Sequence, residues 1–220
     1  MFDFKVTGSQ MKAIDQYTIK KIGIPSMVLM ERAALHVKEC VEKKSSKNQA
    51  IAVICGAGNN GADGVAAGRM LFLKGYRVVI YLVGQLSKAS VEMKDQLKIA
   101  RNLAIPIFTD AIPDSGRHDI LIDALFGIGL NKLVEGEYLE WIHFMNQHNG
   151  RVFSVDIPSG LSATNGEVLG AAVQADDTIT FGLMKYGMTT ENGKRYTGEV
   201  TIGDIGYPEK VVQKILIRKV

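Results

Sequence analysis

The sequence has few of the residues that mark disulfide-stapled or zinc-binding proteins. Cys40 and Cys55 are its two cysteines, they form no Cys-x-x-Cys pair, and the four histidines are scattered along the chain. We therefore expect reduced, buried thiols, with a nucleophilic Cys55 beside a glycine-rich loop as the alternative. The net charge is only +3, which gives no reason to expect a nucleic-acid partner.

Long apolar segments are also missing. Arg69, Lys74 and Asp123 interrupt the longest apolar stretches, and the N-terminal MFDFKVTGSQMK lacks the apolar core of a signal peptide. We therefore expect a cytoplasmic protein with no membrane partner. The 220 residues, of which 46% are apolar, fit a single globular domain over residues 1–220.

Apolar runs alternate with amphipathic segments from residue 51 onward, which predicts an α/β fold. The fold class is a three-layer Rossmann-like one, with a mainly parallel sheet covered by helices on both faces. The predicted strands span residues 51–55, 77–83, 105–108, 119–124, 151–155, 177–181 and, as a possible edge strand, 197–202. The predicted helices between them span residues 62–74, 88–102 and 136–148.

The first 45 residues are predicted to form N-terminal helices that pack on this domain. Ser9 and Ser26 are the predicted N-caps of two helices, and Gly23-Ile24-Pro25 separates them. In the second helix an apolar stripe at helical spacing indicates a core or subunit contact; it consists of Met27, Met30, Ala34 and Val37.

A glycine-rich turn follows the first strand of the alternating region. Gly56, Gly58 and Gly61 have the G-x-G-x-x-G spacing of a phosphate-binding loop, where backbone N–H groups and a helix N-terminus attract an anion. The same turn carries Asn59, Asn60 and Asp63, which a phosphate loop does not require. These extra polar side chains favour a site that performs chemistry.

Polar residues also follow three later strands, and in a parallel sheet all of these strand ends meet at one edge. They are Asp123 with the segment LFGIGLNK, then Asp156-Ile157-Pro158-Ser159-Gly160, then Phe181-Gly182-Leu183-Met184-Lys185. Each could merely build a turn. Together they predict one site at that edge.

The usual ribose-binding acid of a dinucleotide-dependent dehydrogenase is missing. It would stand at the end of the second strand, where this chain has Tyr81-Leu82-Val83-Gly84-Gln85. The glycine spacing is therefore weak support for hydride transfer, although it remains good support for a phosphate-bearing ligand. An NAD-dependent oxidoreductase stays open as one alternative.

Four motifs together carry a resemblance to a known family. The pattern GAGNNGADG, followed by IDALFGIGL, VDIPSGL and ADDTITFGLMKYG, resembles the YjeF N-terminal domain family, whose enzymatic members are NAD(P)H-hydrate epimerases. The segments AIDQYTI and GIPSMVLMERAA resemble its N-terminal helices. Ala57 and Ala62 stand where the family often has Pro and Gly. The dehydratase domain fused to some relatives is not expected here.

The resemblance implies roles for individual residues. Substrate contacts are implied for Asn59, Asn60, Gly61, Ala62 and Asp63, and for Asp156 at the nicotinamide ring. A loop around the substrate pyrophosphate is implied for Gly127, Ile128, Gly129, Leu130, Asn131, Lys132 and Leu133. A potassium ion (K⁺) is implied at Asn60, Asp123 and Ser159, whose oxygens are hard ligands suited to a hard cation. A homodimer is implied as well.

The reaction implied by the resemblance interconverts the R and S epimers of hydrated NADH or NADPH at C6 of the nicotinamide ring, as a step of nicotinamide nucleotide repair. Water leaves C6 to give an iminium and returns on the other face, or the ring opens and closes. Asp156 is the expected proton carrier, with Lys185 the second catalytic candidate or else a solvated loop lysine. A non-catalytic scaffold of the same fold is the remaining alternative, which the intact polar residues disfavour.

Overall fold

A seven-stranded sheet forms the centre of the computed structural model, which describes residues 4–109, 112–114 and 116–217. Its strands are β2 (Ala50–Gly56), β3 (Arg77–Val83), β4 (Ile107–Thr109), β5 (Ile120–Ala124), β6 (Arg151–Val155), β7 (Asp177–Phe181) and β9 (Glu199–Gly203). They are parallel and lie in the order β4-β3-β2-β5-β6-β7-β9. The parallel sheet and the edge position of the last strand are confirmed.

Helices cover both faces of the sheet because the strands are apolar on both sides. Ile51, Val53 and Cys55 of β2 point into one core, against α2 (Ser26–Lys43), α3 (Asn59–Leu73) and α4 (Val91–Asn102). Ala52 and Ile54 point into the other core, against α5 (Glu137–Asn146). The three-layer α/β fold predicted from the sequence is therefore confirmed.

The two ends of the described chain meet beside this sheet. The short strands β1 (Lys5–Val6) and β8 (Met184–Lys185) pair in parallel. The helices α1 (Gly8–Tyr17) and α7 (Glu209–Ile217) share a small apolar core that includes Val6, Met11 and Val212. A π-helical turn, Thr18–Ile22, extends α1, and α6 (Lys194–Thr197) precedes β9.

Several predicted helix starts are wrong. Thr7, rather than Ser9, caps α1, because its hydroxyl accepts from Gln10 N while the Gln10 side chain accepts from Thr7 N. The residue that precedes α2 is Pro25, and the Ser26 hydroxyl instead donates to Glu92. Helix α3 begins three residues earlier than predicted, at Asn59.

The strand order reverses direction between β2 and β5, which makes this the topological switch point of the sheet. Helix α3 begins here in very close contact with β2. A methyl group added to Gly61 would lie 1.8 Å from Gly56 O, so only glycine permits this approach. The close contact places the first turn of α3 directly over the carboxyl edge of the sheet.

Within the described residues, each helix is too short or too polar to cross a bilayer.

Candidate active site

A cavity of about 560 Å³ opens at the switch point, a volume typical of small-molecule sites. Its walls come from the segments that follow β2, β5, β6 and β7, and from both ends of the chain. Predicted site residues on these walls are Asn59, Asn60, Asp63, Gly127, Ile128, Gly129, Leu130, Asn131, Lys132, Asp156 and Lys185. The structure thus brings most of the predicted residues to one cavity.

Five predicted residues do not line the cavity. Gly61 and Ala62 are buried beneath the first turn of α3, and Leu133 is exposed at the far end of its loop. Asp123 and Ser159 are fully buried behind the wall. The substrate and metal contacts expected of all the predicted site residues remain predictions.

Asp156 stands in a strained backbone conformation at the end of β6. Its φ is +66°, a left-handed value that few residues other than glycine adopt, and its N–H donates to Ile179 O at 2.7 Å. Strain of this kind is common at functional sites, where the surrounding structure holds a side chain in one direction. Here it directs the carboxylate into the cavity, where the residue is 9% exposed.

Lys185 holds that carboxylate from β8. Its ammonium donates to Asp156 Oδ1 at 2.5 Å, to Thr180 Oγ1 at 2.7 Å and to Phe181 O at 3.0 Å. These three acceptors saturate the ammonium, which is what permits a lysine to be only 1% exposed. The alternative of a solvated loop lysine is therefore wrong.

Asp123 ties together the loops that follow β5 and β6. Its Oδ1 accepts from the Ser159 hydroxyl at 2.6 Å and from Leu125 N at 3.3 Å. Its Oδ2 accepts from the Ser154 hydroxyl and from Ser159 N, each at 2.8 Å. The Ser159 oxygen in turn accepts from Phe126 N at 2.9 Å, so the two loops are held side by side.

Asn60 is the one predicted metal ligand whose side chain lacks partners. Neither its Oδ1 nor its Nδ2 has a hydrogen-bond partner among the residues the structure describes, although both atoms are buried. A methyl group on Gly127 would lie 3.2 Å from Asn60 Oδ1 and 3.3 Å from Asp156 Oδ2. Both oxygens therefore border the same space beside Gly127. A buried amide without partners is costly unless a ligand satisfies it.

Burial dominates the electrostatics of the acidic groups. It raises the pKa of Asp63 well above the usual range, and the nearby carboxylates Asp156 and Asp15 add to that shift. Burial also raises the pKa of Asp123, although its four hydrogen bonds act in the opposite direction. The pKa of Cys55 is raised by burial and by Asp123, so its thiol stays protonated and the nucleophile alternative loses its support.

Some cavity residues were not predicted from the sequence. They come from α1, α2, α5, the turn before α4 and the segment after β9, and include Lys12, Asp15, Ser26, Lys88, Tyr138 and Tyr207. The periodicity of α1 could have identified Asp15, because Met11 and Asp15 share one side of that helix. No local signal indicates Tyr207, whose partner Asp15 is 192 positions away.

The structure combines a parallel α/β sheet, a glycine-rich turn at its switch point and a carboxylate held by a lysine. These features define an enzyme-like nucleotide-binding domain. The sequence model of the family described as "YjeF-related protein N-terminus" matches residues 26–187. The chain therefore belongs to this family.

Curated relatives support the same assignment over nearly the full chain. The NAD(P)H-hydrate epimerase of Oenococcus oeni is 43% identical over 205 residues, which cover 93% of this chain and 97% of that protein. The NAD(P)H-hydrate epimerase of Limosilactobacillus fermentum is 41% identical over 206 residues, with 93% and 98% covered. The crystal structure of yeast ynu0, YNL200c, superposes with a TM-score of 0.80 at 20% identity, covering 97% of this chain and 93% of that one, which shows the shared fold.

Removing the Ser159 hydroxyl should destabilise the site strongly. Ser159→Ala deletes a hydrogen bond to a buried carboxylate and leaves Phe126 N without its acceptor, so we expect a loss of about 2–4 kcal/mol in the free energy of unfolding. Urea denaturation measures it. Ser87→Ala, at an exposed serine, is the control and should change the value by less than about 0.5 kcal/mol. Equal effects in the two variants would contradict the role assigned to the Asp123 network.

Proposed function

We propose that this chain is an NAD(P)H-hydrate epimerase, which interconverts the R and S epimers of hydrated NADH or NADPH at C6 of the nicotinamide ring. One observation carries the proposal: a strained, lysine-held carboxylate, Asp156, opens into the same cavity as the glycine-rich turn. The similarity to curated epimerases over 93% of the chain supports it.

The loop after β5 suits the pyrophosphate of such a substrate. Residues 127–132 line the cavity, and the glycines at 127 and 129 place no side chain between the backbone and an anion. Lys132 adds positive charge to this wall. The substrate would then lie with its phosphates on this loop and its nicotinamide ring toward Asp156.

The chemistry at C6 requires proton transfer and no redox step. The hydroxyl on C6 takes up a proton, the C6–O bond breaks to release water, and the ring nitrogen lone pair forms the C6–N iminium. Water then adds to the other face and gives up a proton, which inverts the centre. Asp156 is the proposed proton carrier, and Lys185 holds it toward the ring. The Asp156 carboxylate beside the ring favours the cationic iminium over ring opening.

The residues present fit a potassium ion. The buried amide of Asn60 lacks a hydrogen-bond partner among the described residues, and Asp123 and Ser159, which are hydrogen-bonded to each other, would supply further hard oxygens. Within the described residues, no three His, Cys, Asp or Glu side chains form a metal cluster, so carbonyl, amide and hydroxyl oxygens would complete such a site. A bound K⁺ would offset the carboxylate charge beside the anionic substrate.

We also propose that the chain, residues 1–220, forms one domain on which the N-terminal helices pack.

We further propose that the chain forms a homodimer through those helices. Ile22, Val28 and Leu35 are exposed apolar side chains there, and a second copy of the chain would cover them. Light scattering that shows a monomer at micromolar concentration would contradict the dimer.

Chiral chromatography of hydrated NADH tests the function and Asp156 together. We expect the protein to accelerate exchange between the two epimers, and Asp156→Asn to slow it by about 10²–10⁴-fold. Asparagine tolerates the left-handed backbone and still accepts from Lys185, so the variant should fold.

The control for this assay is Asp95→Asn, at an exposed residue of α4 outside the cavity, which should keep full activity. If the epimer ratio relaxes no faster with the protein than without it, the epimerase function is wrong and a non-catalytic scaffold of the same fold is favoured. Consumption of NADH without epimer exchange would favour the oxidoreductase. Full activity in Asp156→Asn would remove that residue from the mechanism.

Potassium should stabilise the folded protein specifically. Because a ligand that binds only the folded state adds about 2.7 kcal/mol at 100 times its dissociation constant, the melting temperature should be higher in KCl than in equal NaCl. Asn60→Ala should remove that difference, while Asn59→Ala, at the exposed neighbour, should keep it. Equal melting temperatures in both salts would show that the cation assignment is wrong.

A further inference from the structure

Part of the cavity wall is formed by two segments that lie outside the residues matched by the family model. Met11, Asp15 and Ile19 recur every four residues along α1 and its π-helical extension, and all three line the cavity. Tyr207, in the segment between β9 and α7, lines it with them. The matched region, 26–187, includes neither segment.

Asp15 and Tyr207 form a directed pair on this wall. The Tyr207 hydroxyl donates to Asp15 Oδ1 at 3.1 Å. The ring of Tyr207 is fixed against Gly182, where a methyl group would lie 2.5 Å from Tyr207 Cδ2 and where the backbone is left-handed with φ +69°. Glycine at 182 therefore leaves room for the ring, and the ring aims its hydroxyl at the carboxylate.

Besides Asp63, the cavity thus contains two carboxyl groups with different hydrogen-bond partners, Asp156 and Asp15. Asp156 comes from the sheet and is held by an ammonium, whereas Asp15 comes from α1 and is held by a neutral hydroxyl. An epimerase that removes water from one face of a ring and adds it to the other needs a proton donor on one face and an acceptor on the opposite face.

We infer that Asp15 is a second acid–base group of the reaction, placed across the reacting ring from Asp156, and that Tyr207 positions it. The inference rests on the proposed epimerase function and extends it.

Each proton and bond is accounted for. For one epimer, the Asp15 carboxyl gives its proton to the C6 hydroxyl, the C6–O bond breaks, and water departs as the ring nitrogen lone pair forms the iminium. A second water adds to C6 from the other face and gives its proton to the Asp156 carboxylate. The product is the inverted epimer with a solvent oxygen at C6. Exchange with solvent returns the proton, and the opposite epimer uses the two groups in reverse.

The surroundings of Asp15 are consistent with a proton-bearing carboxyl. Burial raises its pKa, nearby Asp156 and Glu92 raise it further, and the Tyr207 hydrogen bond lowers it. Two carboxyl groups with unlike environments can divide acid and base roles between them. The other charged groups that line the cavity are Lys12, Asp63, Lys88, Lys132, Asp156 and Lys185, and Glu92 also acts on Asp15.

The test uses three variants of the full chain in the epimer-exchange assay. Asp15→Asn keeps the acceptor for Tyr207 but cannot carry the proton, so kcat should fall by about 10²–10⁴-fold in both directions with little change in KM. Tyr207→Phe keeps the ring on Gly182 and removes a donor that lowers the pKa of Asp15. The alkaline limb of its pH–rate profile should therefore move up by about half a unit to one unit. Asp95→Asn should match the wild type.

Oxygen exchange provides an independent measurement. In water labelled with heavy oxygen, each inversion by the wild-type protein should place one labelled oxygen at C6. Inversion with retention of the original oxygen would overturn the inference, as would wild-type kcat in Asp15→Asn or an unmoved pH profile in Tyr207→Phe. The outcomes are distinguishable from failure of the function itself, because a wild-type protein that does not exchange epimers would reject the epimerase before any variant is compared.

Discussion

The buried carboxylate of Asp123 is the constraint on which the rest of the site depends. It is fully enclosed, and it accepts four hydrogen bonds from Ser154, Ser159 and the backbone of Leu125. Leaving such a charge without partners would cost several kcal/mol, so the loops after β5 and β6 must stay together. That pairing holds Gly127 beside Asp156 and Asn60, which defines the floor of the cavity.

The sheet and the two ends of the chain each form part of the cavity wall, and they contribute differently to the site. The sheet supplies fixed groups at its switch point, where the ends of the strands meet the start of α3. The backbone of Gly56 and that of Gly61 can approach so closely there only because Gly61 has no side chain. The chain ends add α1 and Tyr207, which complete the enclosure. Proton transfer at a ring carbon needs both, because fixed groups orient the substrate and enclosure excludes bulk water.

The sheet could be predicted from the sequence because its strands are covered by helices on both faces. Such strands carry apolar residues at successive positions, so each one appears in the sequence as a continuous apolar run. Residues 151–155 and 177–181 were predicted to the residue, and the polar residues that follow the strands identified the correct edge. The rest depends on contacts between distant parts of the chain. Lys185 is buried because β8 pairs with β1, and these strands have two residues each, too short to leave a pattern. The pairing of Asp15 with Tyr207 likewise arises only when both chain ends fold onto the sheet.

A crystal structure with reduced dinucleotide bound would show which part of the ligand lies on the cavity floor that the Asp123 hydrogen bonds hold in place. We expect the pyrophosphate on the loop of residues 127–132 and C6 of the nicotinamide ring between the carboxyl groups of Asp156 and Asp15. A dinucleotide bound in the reverse direction, with adenine against Asp156 and the nicotinamide ring outside the cavity, would contradict it.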